Sequence, residues 1–217
     1  RGVDTERFSP AKRSEVLRAH WGAAPDQPVL LSVGRLAAEK NLDLLVRCMR
    51  AMRQVCPDLK LVVVGDGPER AALQQACPDA LLVGSLSGEA LAQHYASADL
   101  FLFPSLTETY GNVTPEALAS GLALLAFDYA AAAELVRHGD NGLLAPFGDA
   151  DAFVRRAADM AASPALAQHL RERARSTTLA QDWSQIVGQV EGIWEQLLLQ
   201  RAGEPAQVSL GALRGWA

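Results

Sequence analysis

The sequence predicts an α/β protein: a Rossmann-like, doubly wound parallel sheet of about six strands in three α/β/α layers. Three observations predict it. Apolar runs alternate with helix-patterned stretches along most of the 217 residues. The runs are continuously apolar rather than alternating with polar residues, so both faces of the sheet are covered. Turn residues follow the runs at Gly34, Gly65, Gly84, Pro104 and Asp128.

The elements follow in order. Residues 1–10 are polar and turn-rich and read as a linker, and residues 11–200 as the domain. Pro10 to Trp21 has helical spacing through Val16, Leu17, His20 and Trp21. Pro28 to Gly34 is a buried-strand run. Asn41 to Val55 places Leu42, Leu45, Val46, Met49 and Met52 on one helix face. Leu59 to Gly65 is a second strand, Glu69 to Ala76 a helix, and Ala80 to Val83 a short strand. Gly88 to Ala98 reads as a helix and Asp99 to Phe103 as a strand. Ser105 to Gly121 is a loop turning into a helix that stops at the glycine, a residue tolerant of positive φ. Leu122 to Phe127 is a strand, Ala130 to His138 a helix, and Gly142 to Ala145 a last short strand. Asp149 to Ala162, Pro164 to Thr178 and Ser184 to Gln200 read as helices. Residues 201–217 break the pattern and read as a flexible tail.

The composition is ordinary for a globular chain, 49% hydrophobic and 21% charged, with net charge -5. A nucleic-acid binder would show a basic surplus, and none appears. Cys48, Cys56 and Cys77 are odd in number and lack metal-ligand spacing, which favours reduced structural thiols in the cytoplasm. No apolar run approaches the roughly 20 residues that span a bilayer. The chain does not begin with methionine and has no signal-peptide pattern, so a piece of a longer protein is expected.

Right-handed crossovers bring every strand-to-helix loop to one edge of such a sheet, where ligands bind. Five loops should therefore converge: Gly34–Lys40, Gly65–Pro68, Gly84–Gly88, Pro104–Gly111 and Asp128–Ala133. Arg35 and Lys40 share the first. Two adjacent cations suit a diphosphate, although two solvated surface cations would look the same in sequence. No P-loop motif occurs. Gly65-Asp66-Gly67-Pro68 lacks the third glycine of a dinucleotide fingerprint and favours a structural turn over close approach to a ligand. Glu108 and Glu116 have seven residues between them, one on a loop and one in the first turns of a helix. Read alone, Glu108 could be a solvated loop carboxylate and Glu116 a first-turn residue meeting the helix dipole. A hydrolase acid/base pair is a further reading of two such carboxylates. The topology argues against it and favours a clamp on a ligand with hydroxyls at both ends and a phosphate between them.

Together these features resemble the carboxyl-terminal, donor-binding domain of retaining GT-B glycosyltransferases of the family 4 type, also called group 1. The resemblance runs from about Gly2 to Leu198. Four motifs carry it: Gly34-Arg35 with Lys40, Gly65-Asp66-Gly67-Pro68, Glu108 with Glu116, and Asn141-Gly142-Leu143-Leu144 with Asp149. It implies that Arg35 and Lys40 neutralise the donor diphosphate and that Glu108 bonds the donor sugar. Glu116 would hold the ribose, and backbone amides at Gly111, Asn112 and Val113 would receive the diphosphate. Leu86 would face the base, with Gly34 and Tyr110 lining the site. It implies a nucleotide-diphosphate sugar as donor, no metal and no other cofactor, and an amino-terminal domain that completes the cleft.

Tyr110 replaces a common Phe, and Asn112 a common apolar residue. Tyr110-Gly111-Asn112-Val113 resembles bacterial mannosyl- and glucosyltransferases acting on lipids, which tilts the donor toward GDP-mannose. The acceptor expected is a lipid or a glycan, and the place of action the cytoplasm, at the inner membrane face. Ala130 to Ala133 stand where the family has a Gly-Gly pair before Glu134, so the glycine turn is lost and a ligand role for Glu134 is not carried over. A sugar-nucleotide epimerase of the same shape and a non-catalytic Rossmann-like module are the competing readings.

Overall fold

The computed structural model describes residues 2–201, with side chains through Leu198. The expected tail lies almost wholly outside the described residues. Six strands form one parallel sheet: β1 (Val29–Val33), β2 (Lys60–Val64), β3 (Leu81–Gly84), β4 (Leu100–Phe103), β5 (Ala123–Phe127) and β6 (Leu143–Ala145). Their order is β3-β2-β1-β4-β5-β6, which puts the topological switch between β1 and β4.

The helices are α1 (Glu15–His20), α2 (Leu42–Val55), α3 (Arg70–Ala76), α4 (Gly88–Ser97), α5 (Val113–Ala119), α6 (Ala130–Leu135), α7 (Ala150–Ala162), α8 (Pro164–Leu179) and α9 (Trp183–Arg201). Strand side chains sort them into two layers because successive residues point to opposite faces. Leu30, Leu100, Leu102, Leu125 and Phe127 face a core shared with α2, α3 and α7. Val29, Leu31, Phe101, Phe103, Leu124 and Ala126 face one shared with α4, α5 and α6. Leu170 and Ala174 of α8 serve one core each. Leu45 of α2 is wholly buried, and truncating it to Ala would cost about 2–5 kcal/mol.

Local chemistry sets the element ends. Ser14 Oγ accepts from Leu17 N at 3.1 Å, Asp149 Oδ1 from Ala152 N at 2.8 Å, and Ser163 Oγ from Leu166 N at 3.2 Å. Each satisfies an orphan donor at a helix start. The expected helix from Pro10 to Trp21 is instead a short 3-10 turn (Pro10–Lys12) and α1, broken at Arg13 and Ser14. Tertiary bonds override the local periodicity there. Ser14 N donates to Ser97 Oγ at 3.0 Å, and Arg13 Nη1 to Asp99 Oδ1 at 3.2 Å. The buried Arg18 then locks α1 to the amino edge of the sheet through Asp99 Oδ2 (3.1 Å), Ser97 O (2.8 Å) and Gln27 O (2.6 Å).

The helix expected from Ala130 to His138 ends at Leu135. Asn141, fully buried, accepts from Arg137 N at 2.7 Å and donates to Leu135 O at 2.9 Å. Its amide thus takes over the groups that would have continued the helix. Asn141 and Asp149, both part of the motif that carried the resemblance, are therefore a turn-former and a helix cap.

The stretch expected to be a linker is docked on the domain. Val3 N donates to Gln181 O at 2.9 Å, Thr5 Oγ1 to Asp182 Oδ2 at 2.6 Å, and Arg175 Nη2 to Thr5 O at 3.0 Å. Phe8 is buried in the core beside α4 and α5.

Candidate active site

The loops after β1 and β4 meet at the switch point, and the expected residues fall into two groups. The first is built on Lys40 and Glu108. Lys40 Nζ forms an ion pair with Glu108 Oε1 and lies 5.7 Å from the centre of the Phe103 ring, a cation–π distance. Ser105 Oγ donates to Glu108 Oε1 at 2.8 Å and sits 3.5 Å from Lys40 Nζ. Tyr129 Oη donates to Ser105 O at 2.9 Å, and Leu106 N to Glu39 O at 3.0 Å. Glu108 is thus not a solvated loop carboxylate but is held by Lys40 and Ser105, with Tyr129 bracing Ser105.

Arg35 is exposed, its carbonyl accepts from Ala37 N at 3.1 Å, and its guanidinium makes no hydrogen bond or ion pair among the described residues. Arg35 and Lys40 line the same small hollow with Gly34, Leu36, Phe103 and Pro104. Mutual repulsion nevertheless does not demand an anion between them, because Glu108 already neutralises Lys40. An ammonium has three donors, so Lys40 retains capacity for a ligand oxygen.

The second group is built on Glu116, in the first turns of α5. Tyr95 Oη, on α4, donates to Glu116 Oε2 at 3.0 Å. Burial raises the Glu116 carboxyl to about 7, and the Tyr95 hydrogen bond opposes part of that rise. Burial and the Glu116 charge push the Tyr95 hydroxyl well above its usual range, so Tyr95 is the donor. Glu116 opens onto a cleft of about 410 Å³ lined by Asn112, Pro115, Trp183 and, from the docked stretch, Gly2, Val3, Asp4, Arg7 and Phe8.

Between the groups runs the loop of Tyr110, Gly111 and Asn112. Gly111 has φ +90 and packs beside the Glu108 side chain, and Asn112 is exposed. Tyr110 accepts at its carbonyl from Ala131 N at 2.9 Å, tying this loop to the start of α6. Tyr110, Val113 and Leu86 are half-buried against the same core. Ala130 opens α6 at φ +50, so the left-handed turn expected to be lost with the glycine pair persists, carried by an alanine. Glu134 is exposed.

Gly65-Asp66-Gly67-Pro68 is a structural turn. A Cβ on Gly65 would sit 1.8 Å from Gly34 O, and one on Gly67 2.3 Å from Leu36 O. Leu36 N donates to Asp66 O and Glu69 N to Leu36 O, both at 2.9 Å. The close backbone approach that demands glycine is therefore to the neighbouring loop, which this turn holds in place.

Sequence reasoning did not foresee Tyr95, Ser105, Phe103 or Tyr129. Ser105 stands three residues before Glu108, and that spacing was a readable signal. Tyr95 lies mid-helix and looked like any core aromatic. Among the described residues no cluster of His, Cys, Asp or Glu could hold a metal, and no helix is long and apolar enough to cross a membrane.

Fold and site together define a doubly wound α/β domain with a charged, loop-built site at its switch point. Residues 13–177 match the profile of the glycosyl transferases group 1 family, and the chain belongs to that family. A GDP-mannose-dependent alpha-mannosyltransferase of Mycobacterium tuberculosis is 38% identical over 211 residues, 95% of this chain and 52% of that protein. One from Mycolicibacterium smegmatis is 39% identical over 210 residues, covering 93% and 52%. The chain thus spans about half the length of these relatives. Sucrose-phosphate synthase of Thermosynechococcus elongatus superposes with TM-score 0.76 at 28% identity over 92% of this chain and 52% of that one. A C-terminal domain of a group 1 glycosyl transferase from Francisella tularensis superposes over 98% of its length (83% of this chain, TM-score 0.70, 19% identity), which shows the fold. The architecture is the C-terminal half of a GT-B fold.

Proposed function

We propose that this chain is the donor-binding half of a retaining glycosyltransferase that moves mannose from GDP-mannose to a lipid or glycan acceptor. The observation that carries the reading is the placement of Lys40–Glu108 and Glu116 on either side of the Gly111 loop, at the switch of a family-matched fold. In this reading Glu108 bonds the sugar, Glu116 the ribose, and the diphosphate lies over Gly111, Asn112 and Val113, with Leu86 toward the base. Arg35 and Lys40 neutralise the leaving diphosphate, preorganised charge that needs no reorganisation during the reaction. This reading assigns no step to a divalent ion. The names of the mannosyltransferase relatives support the donor.

The full-length protein would place an amino-terminal domain over this site and act at the inner face of the membrane. Trp183, Val187, Val190, Trp194 and Leu197 of α9 fall at alternating spacings of four and three and are all exposed. That stripe fits a helix packed on a further domain. Full-length protein with GDP-mannose, in EDTA, should release GDP only when acceptor is present, and NMR should find the anomeric configuration retained. An inverted product, or turnover restored only by a divalent ion, would contradict the reading.

A further inference from the structure

Glu116 is not a free ligand arm. One of its oxygens, Oε2, is taken by the hydroxyl of Tyr95, whose residue has no exposed surface. The Tyr95 ring is held edge-on by Phe8 at 5.6 Å and 83°, and by Phe101 at 5.6 Å. A hydroxyl mounted on a ring packed from two sides has little freedom to follow a moving carboxylate. Oε2 is therefore held in place, which leaves Oε1 as the carboxylate oxygen for a ligand in the cleft that Glu116 lines with the amino-terminal segment. From this geometry we propose that Tyr95 is a positioning residue for donor binding, orienting Glu116 through Oε2 so that its second oxygen meets the nucleoside ribose. The proposal rests on the function proposed above.

The physical reason lies in burial. A half-buried carboxylate loses hydration and tends to hold its proton. A donated hydrogen bond to the charged form restores part of what water supplied, and such charge-assisted bonds are about twice as strong as neutral ones. Tyr95 thus aims Glu116 and offsets part of the burial that favours its protonated form, so that more of the carboxylate is available to accept from ribose hydroxyls than without the bond. Phe8 belongs to the docked stretch read as the interdomain linker, so the same ring contact couples that stretch to the ribose carboxylate.

The other charged groups nearby are accounted for. Asp4 and Arg7, across the cleft, pair with each other at 3.5 Å. Arg175 of α8 donates to Ala119 O at the far end of α5, and Arg171 to Gly121 O. His94, next to Tyr95 on α4, packs against Trp21 instead, and Glu134 of α6 is exposed. Tyr95 is the titratable side chain bonded to Glu116.

The test is the pH dependence of the KM for GDP-mannose in full-length enzyme carrying Tyr95→Phe, Glu116→Gln or Phe8→Leu. Tyr95→Phe should raise the KM about tenfold at neutral pH, leave kcat within about twofold, and move the acid limb of 1/KM to higher pH. Phe8→Leu keeps the Tyr95 hydroxyl and the Phe101 contact but loosens the ring, so its KM and acid limb should fall between those of wild type and Tyr95→Phe. Glu116→Gln should raise the KM and abolish the limb. If Glu116→Gln behaves as expected while Tyr95→Phe keeps the wild-type KM and limb, the positioning role is wrong and the ribose assignment stands. If Glu116→Gln leaves the KM and the profile unchanged, or wild type does not turn over GDP-mannose, the functional reading itself fails and the proposal falls with it.

Discussion

Lys40 and Glu108, on loops after different strands, form an ion pair at the switch point of the sheet. The pair joins the cation expected at the diphosphate to the carboxylate expected at the sugar. Neither can move without affecting the other, and the Phe103 ring below and Ser105 beside them fix the geometry.

The first prediction concerns that pair. If Glu108 bonds the donor sugar as proposed, Glu108→Ala in the full-length enzyme should lower kcat by roughly 10²–10³ with a smaller change in KM, because contacts to a transferred sugar tighten in the transition state. Lys40→Ala should lower kcat and weaken donor binding together. Steady-state kinetics with GDP-mannose checks both, and wild-type kinetics in either variant would remove the pair from the site.

A second prediction follows from Glu116. Its carboxyl is raised from 4.5 to about 7 in the folded chain by burial. The folded state therefore binds this proton more tightly than the unfolded state. The group's contribution is fully present below pH 4.5 and is lost as the pH rises through about 7, by an upper bound on the order of 3 kcal/mol. Relative to wild type, Glu116→Gln should gain melting temperature from pH 5 to pH 8. A difference that does not change with pH would show that Glu116 ionises normally.

The third concerns the turn that carries the loop. Gly67→Ala would put a methyl carbon 2.3 Å from Leu36 O. Backbone must move to relieve it, so we expect a loss of more than about 3 kcal/mol and displacement of the Arg35–Lys40 loop. Chemical denaturation measures the first and GDP affinity the second. A neutral substitution would mean that the two loops are not packed as described.

A fourth concerns Ala130, whose φ of +50 costs an L-residue about 1–2 kcal/mol. Ala130→Gly relieves this against glycine's greater chain entropy. A net gain of up to about 1 kcal/mol is expected, a rise of about 2–4 °C in melting temperature for a chain of this size. A fall would show that the left-handed turn is not adopted.

Much of this fold was legible because continuous apolar runs and glycine stops are local signals. Leu30 to Val33 and Phe101 to Phe103 could be read as buried strands without knowing their neighbours. What local pattern could not show was tertiary capture of the backbone. Ser97 and Asp99 break the first helix at Arg13, and Asn141 ends α6, from positions distant in sequence or beyond the helix. The site followed the same division. Glu108, Glu116 and Lys40 stood out by type and spacing, but their partners did not. The pairing of Lys40 with Glu108 was not legible, because Glu108 arrives from the loop after β4, 68 residues away.

The most direct test is calorimetry of the 217-residue chain with GDP and with UDP in magnesium-free buffer, repeated with Lys40→Ala and Glu116→Gln. A nucleotide-diphosphate site at the switch point predicts saturable binding, stronger for GDP, and weakened about tenfold or more by each substitution. Folded protein that binds neither nucleotide, or binds GDP equally well in both variants, would contradict it.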